Sequence, residues 1–171
     1  TDAIMTQRPE DLRVYRVHAS KVTQEFVEKH KDKHWVVCNF SSLEDKIKVY
    51  MCKNIQYSIV EYDYKFCRYR SIELHKKETG EDCNCHNEDY GKFISSFFAG
   101  AEKIFWMSDK QKERYQERFP FLTNEKSIRL SSVFEVDHLE KIEKLRNNRA
   151  ANESNGKWAM LGSNSWIKGT K

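Results

Sequence analysis

The chain has no apolar run approaching the ~18 residues that a membrane-crossing helix needs, so the sequence argues against a transmembrane segment. It has no run of five or more basic residues, no internal repeat and no low-complexity tract. These absences argue against a polybasic tail, a solenoid and a disordered interaction segment. Residues 1–11 are polar and contain no apolar core of a leader peptide. The first residue is Thr1 rather than Met, which leads us to expect that residues have been removed from the front. What remains is a chain of 171 residues, 39% hydrophobic and 33% charged. That is the size of one domain, or of one domain with an appendage, with enough apolar material for a core. Thirty basic and 26 acidic residues give a net charge of +4. This mild excess suits an anionic small-molecule substrate and is too small to argue for nucleic acid. The cysteines number five: Cys38, Cys52, Cys67, Cys83 and Cys85. An odd count predicts a reducing, cytoplasmic compartment rather than a disulfide scaffold. Cys38 and Cys52 read as small core residues.

Strand-like and helix-like patterns alternate. Segment 12–18 reads as a strand, and Val22, Phe26, Val27 and His30 then repeat at helical spacing. Residues 35–40 form a short apolar run of the kind buried in parallel sheets. Ser41 and Glu44 make a capping box opening a helix with Leu43, Ile47, Tyr50 and Met51 on one face. Segment 56–62 is the next strand. Residues 63–89 are charged, rich in cysteine and without period, and their length suits a functional or metal-tied loop. Regular patterning resumes at Gly91, where Phe93, Ile94, Phe97 and Phe98 share a helix face. A strand over 103–107 leads into a second capping box, Ser108 with Gln111, and a basic helix that Pro120 ends. A strand over 127–133 and a helix carrying Leu139, Ile142 and Leu145 follow. Residues 147–156 read as a polar linker.

This alternation predicts an α/β fold: a doubly wound, mainly parallel, Rossmann-like sheet with helices on both faces. The predicted organisation is one domain over 1–146, the linker, and the first strand and loop of a second domain over 157–171. Ligands of such sheets bind at the carboxyl ends of the strands, here near His18, Phe40, Tyr62 with Asp63, Ser108 and Ser132.

Five groups of residues carry candidate chemistry. At the end of the middle strand, Glu61, Asp63 and Lys65 can hold or polarise hydroxyl groups, and a carboxylate can act as base. The bland alternative is a solvated ion cluster. His18 is either a donor to substrate or a satisfied residue at a strand end. Cys67, His75, Cys83 and Cys85 supply four soft or borderline ligands from one loop, as tetrahedral zinc requires. Four protein ligands leave no open position, so the zinc would be structural. The alternatives are surface thiols or a Cys67–Cys83 disulfide. Ser108 reads chiefly as a helix cap, because no Gly-x-Ser-x-Gly surrounds it. Finally, Gly162, Ser163, Lys168 and Gly169 form a flexible loop with a lysine able to neutralise a diphosphate.

At these last residues the chain resembles the GT-B fold glycosyltransferases, in the large retaining group that uses nucleotide-activated sugars. That family opens its C-terminal domain with a strand and a Gly-Arg-Leu-x-x-x-Lys-Gly-like loop. Gly162, Lys168 and Gly169 match its spacing, whereas Ser163 stands in place of the arginine. Residues 101–108 resemble the family's Ala-Asp-x-apolar-Ser stretch, and 127–134 with Asp137 resembles the strand before the interdomain segment. The resemblance implies an acceptor-side domain of a transferase that moves a sugar from a nucleotide-sugar donor to an acceptor hydroxyl, inactive without its C-terminal domain. It also implies an oxocarbenium-like transition state, with the leaving diphosphate stabilised by Lys168 and backbone donors, and with Glu61, Asp63 and His18 orienting the acceptor. The cysteine-rich loop is no general feature of that family. A non-catalytic α/β binding module with a zinc-tied loop is the competing expectation, and a flavodoxin- or receiver-like domain a weaker third.

Overall fold

A computed structural model describes residues 5, 8–131 and 134–150. The compact unit that carries the sheet runs from Asp11 to Ser132. Its elements are α1 (Gln24–Lys29), β1 (Trp35–Val37), α2 (Asp45–Asn54), β2 (Tyr57–Glu61), α3 (Ile72–Thr79), α4 (Asp89–Gly100), β3 (Ile104–Trp106), α5 (Asp109–Arg118) and β4 (Ser127–Arg129). The four strands lie in the order β1-β2-β3-β4 and every pair is parallel. The fold is therefore α/β, an all-parallel sheet flanked by helices, consistent with the doubly wound, Rossmann-like class expected from the alternation. Strands that progress in one direction are what one half of a doubly wound sheet contains. Helices α1, α2, α4 and α5 all contribute to one core cluster, with Tyr57, Ile59, Ile104 and Trp106 of one sheet face.

The core lies on that face. In the register, Tyr57 and Ile59 of β2 stand beside Trp35 and Val37 of β1, and Ile104 and Trp106 of β3 stand beside Ile59 and Glu61. Helix α4 lays its apolar stripe, Ile94, Phe97 and Phe98, against them. Phe97 stacks on Tyr57 with centroids 4.8 Å apart, and Phe98 stacks on Trp106 at 6.0 Å. Tyr115 of α5 fills the next position, 4.7 Å from Trp106. Ile47 and Met51 of α2 join the same cluster. The other face carries Val36, Ser58, Val60, Phe105 and Ile128. Ser58 and Val60 are buried there, whereas Val36 is 54% exposed. All five residues of β2 are buried, Ser58 and Glu61 among them.

Several local expectations change. Segment 12–18 is not a strand; it runs without regular structure into a turn at Ala19–Lys21. Its Val and Tyr residues have no strand to pair with among the described residues, and Tyr15 is exposed. Helix α2 starts at Asp45, with Glu44 as its cap residue but no side-chain cap bond, so Ser41 does not open it. Ser108 does cap α5: its hydroxyl accepts from the Gln111 N–H at 3.1 Å, and the Gln111 side chain accepts from the Met107 N–H at 2.8 Å. The stretch read as irregular contains α3, capped by Ser71 at its start and by Gly80 at its end. Gly80 has φ 78°, which a side chain rarely adopts. Ser71 followed nine residues later by Gly80 was a readable signal of that helix.

Helix α6 (Val136–Ala150) lies outside this unit and carries Leu139, Ile142 and Leu145 as expected, all exposed. It occupies the first part of the expected linker. The strand and loop expected over 157–171 lie outside the described residues.

Truncating Phe98, which is buried between Phe40, Trp106 and Tyr115, is expected to lower unfolding free energy by about 3–5 kcal/mol. The Val36→Ala change should cost less than about 1 kcal/mol. Urea denaturation of both variants checks the assignment of the core to one face.

Candidate metal centre and the charged end of β2

Two constellations stand after β2, and one turn of backbone links them. The first is the expected ligand set. Cys67, His75, Cys83 and Cys85 place their ligand atoms within 4.8 Å of one another. The Nδ1 atom of His75 lies 3.6 Å from the Cys67 sulfur and 3.5 Å from the Cys85 sulfur. Each ligand arrives by a different local device. Cys67 sits in the turn after β2, where its N–H donates to the Tyr64 carbonyl at 2.8 Å. Helix α3 presents His75. Cys83 follows the Gly80 cap, and Cys85 opens a short 3-10 turn, Cys85–Asn87. Gly91 in the first turn of α4 lets that turn approach. A Cβ there would run into the Cys85 carbonyl.

All five cysteines are free thiols, and those of the cluster are buried, so they are neither surface groups nor a Cys67–Cys83 disulfide. Burial pushes the Cys67 thiol up and the Cys83 thiol up to about 12; the Cys85 sulfur adds to both rises, whereas the hydrogen bond with Cys83 works against that of Cys67. Protonated thiols packed together are the state expected without a positive charge among them. A divalent cation reverses that balance and takes the thiolates as ligands. The donor set therefore fits a metal ion. Cys38 and Cys52 are half-buried; Cys52 packs against the core, where its sulfur meets the Tyr57 hydroxyl at 3.1 Å.

The second constellation is the charged end of β2. Glu61 is fully buried, and so is Lys65, whose ammonium lies 3.2 Å from the Glu61 carboxylate and 3.0 Å from that of Asp63. Glu61 also accepts from the N–H groups of Asp63 (3.2 Å) and Lys65 (3.3 Å) and from the Tyr115 hydroxyl (3.1 Å). Gln111 of α5 donates to the Asp63 carbonyl at 3.1 Å. Asp63 reaches outward, partly exposed, and pairs with Arg70. Burial pushes the Glu61 carboxyl up to about 8; the Lys65 charge opposes the rise and the Asp63 charge adds to it. Burial also raises Asp63, but Arg70 and Lys65 outweigh it and hold that carboxyl below its usual range.

The predicted residues divide accordingly. Glu61 and Asp63 are joined through Lys65, whereas His18 is an exposed residue whose Nδ1 caps the turn at Ala19–Lys21 and meets Ser20 at 2.7 Å. It stands at a turn, not at a strand end, because 12–18 is no strand. Arg70, Gln111 and Tyr115 were not anticipated. Gln111 and Tyr115 sit four apart on a helix that is charged at every other position except Gln116, and that pair was the available signal for its buried side. A surface depression of about 680 Å³ lies elsewhere, lined by Gln24, Glu25, Glu28, Lys29 and Tyr50, and includes none of the predicted residues. Gly162, Ser163, Lys168 and Gly169 lie outside the described residues.

Comparison with protein-family models, with curated proteins and with solved structures gives no match. The site therefore has to be read from its chemistry. Among the described residues, no helix is long and apolar enough to cross a membrane.

Two outcomes follow. A carboxyl raised from 4.5 to about 8 on folding contributes stability that is fully present below about 4.5 and is lost as pH rises through about 8. The Glu61→Gln variant removes that dependence, so its urea midpoint relative to the parent should shift in the variant's favour between pH 5 and pH 9. A midpoint difference that stays constant would contradict a buried, raised carboxyl. The Gly91→Ala change should be destabilising by more than the about 1 kcal/mol that alanine gains over glycine in a helix, because the Cβ meets backbone; thermal unfolding measures it.

Proposed function

We propose that this chain is the acceptor-side domain of a retaining glycosyltransferase that uses a nucleotide-sugar donor, with a structural zinc in the loop after β2. The observation that carries the reading is the polar cluster built jointly by the carboxyl end of β2 and the β3–Ser108–α5 junction. Ligands of parallel α/β sheets are bound at such ends. The segment that resembles the family's Ala-Asp-x-apolar-Ser stretch folds as a strand followed by a serine-capped helix, and this supports the resemblance. Ala101 at its start is fully buried.

Within this reading the roles of the two carboxylates differ. Asp63 and Arg70 are the charged groups at the cluster that reach solvent, and they are the ones able to meet an acceptor hydroxyl or a sugar. Glu61 is sealed from water and works through Lys65 and Tyr115, so it is a positioning residue. His18 as an acceptor contact rests on the resemblance alone. So does the donor side, Gly162, Ser163, Lys168 and Gly169, in which the lysine would neutralise diphosphate. A C-terminal domain is the expected partner, and a glycan or other hydroxyl compound the acceptor.

A second reading, a non-catalytic α/β binding module with a zinc-tied loop, is favoured by the buried ligand set itself. The two separate on one assay. The complete gene product is incubated with UDP-, GDP- and dTDP-sugars and a panel of hydroxyl acceptors, and nucleotide release is followed. Donor-specific release that falls at least about tenfold in Asp63→Asn, an effect of the size expected for an orienting group, supports the transferase. A folded protein that releases no nucleotide from any donor overturns it in favour of the module.

A further inference from the structure

We propose that Cys67, Cys83, Cys85 and His75, the last through Nδ1, bind one Zn²⁺ in a closed four-ligand site, and that this ion sets the fold of residues 62–88 and thereby seats Arg70 on Asp63. The inference rests on the structural-zinc part of the reading above and is independent of any transferase activity. Zinc bonds of about 2.3 Å to sulfur and about 2.0–2.1 Å to imidazole give tetrahedral edges of about 3.5–3.8 Å. The two sulfur-to-nitrogen separations, 3.6 and 3.5 Å, already match those edges. Three thiolates and one imidazole suit zinc, and they leave no coordination position for substrate water.

Helix α3 shows what the ion is needed for. It is eight residues long and none of them is fully buried. Isolated helices of that length are unstable in water, because nucleation is not repaid by so few propagating turns. Its charged ties are at the surface, through Glu73 to Arg114 and Lys76 to Asp82. Exposed pairs of this kind contribute little. The loop that follows α3 contributes Cys83 and Cys85 to the core and little else. A metal ion supplies the missing order by cross-linking the turn after β2, α3 and the turn before α4 at one point.

The link to the charged cluster is short. Residues 64–70 close on themselves by three backbone bonds: Tyr64 N–H to the Arg70 carbonyl at 3.2 Å, Cys67 N–H to the Tyr64 carbonyl at 2.8 Å and Arg70 N–H to the Cys67 carbonyl at 2.9 Å. The Cys67 thiol donates to the Ser71 carbonyl at 3.5 Å. Arg70 is held at φ 55°, a left-handed conformation that costs a non-glycine residue free energy and persists only where its surroundings enforce it. Cys67 is the centre of that closed turn and a ligand at once. Anchoring its sulfur holds the conformation that turns the Arg70 guanidinium onto Asp63.

The test uses the 171-residue chain. Metal content after dialysis is measured by mass spectrometry, and backbone exchange by hydrogen–deuterium methods with and without a chelator. The expected result is one zinc per chain, replaceable by cobalt with the absorption of a tetrahedral thiolate site. Chelation should speed exchange at residues 64–80 by at least about tenfold, as for loss of a local cooperative unit, while β2 and β3 keep their protection. His75→Ala, a half-buried ligand whose loss leaves the core intact, should lower zinc affinity and reproduce the exchange pattern. The absence of stoichiometric metal and of a cobalt thiolate spectrum in the folded chain overturns the site. One zinc per chain with unchanged exchange at 64–80 after its removal overturns the ordering role specifically. Either result leaves the nucleotide-release assay to be judged by itself.

Discussion

A carboxylate with no access to water constrains the carboxyl end of β2, and the surrounding structure answers it. Glu61 is fully buried beside Trp106 and cannot stay ionised there without compensation. Four donors converge on it: a lysine ammonium, two backbone N–H groups and the Tyr115 hydroxyl. Each arrives with a demand of its own. The ammonium is shared with Asp63 and lies 5.2 Å from the centre of the Phe40 ring. The N–H groups require the chain to turn sharply at residues 62–65. The Tyr115 hydroxyl requires α5 to start at Ser108 and lie across β3. The end of β2, the turn after it and the seat of α5 are therefore one polar network inside an aromatic core.

The turn that serves Glu61 is also the turn that carries Cys67. The polar segment beyond it, through α3 to Cys85, contributes almost nothing to the hydrophobic core except its cysteines. Such a segment has too little apolar surface to offset the entropy of ordering it. Three sulfurs and one ring nitrogen of this connection lie within 4.8 Å of one another, a group that could hold a metal ion and so cross-link the segment. Two unlike features, a buried ion network and a metal-type ligand set, thus occupy adjoining stretches of the same connection. Between them stands the Asp63–Arg70 pair, the outward-facing part of the charged cluster.

The order of elements was legible in the sequence wherever period and caps agreed. The strand over 56–62, the Phe-rich face of α4 and the Ser108 box of α5 all appear where the pattern places them. Legibility failed where a local pattern had no tertiary partner. The alternating residues of 12–18 read as a strand, yet nothing among the described strands pairs with them. Ser41 and Glu44 satisfy a capping pattern, yet α2 begins at Asp45, because the Leu43 N–H is taken by the Phe40 carbonyl at 3.0 Å. Helix α3 failed in the opposite sense: its caps were present, but its composition is so polar that no apolar stripe announced it.

By itself the sequence determined the inventory: an alternating α/β chain, a carboxylate pair with a lysine after the middle strand, and three cysteines with a histidine in one connection. Propensity, capping and periodicity act over a few residues, and these features are local. The tertiary structure alone decided which atoms meet. Tyr115 reaches Glu61 across 54 positions of sequence, and Gln111 reaches Asp63 across 48. The packing that makes those contacts buries an apparent surface carboxylate, and burial raises its affinity for protons, while Asp63 beside it stays partly exposed. Burial and charge proximity set the chemistry of a titratable group, and both are properties of the packed sheet and its helices rather than of any stretch of chain.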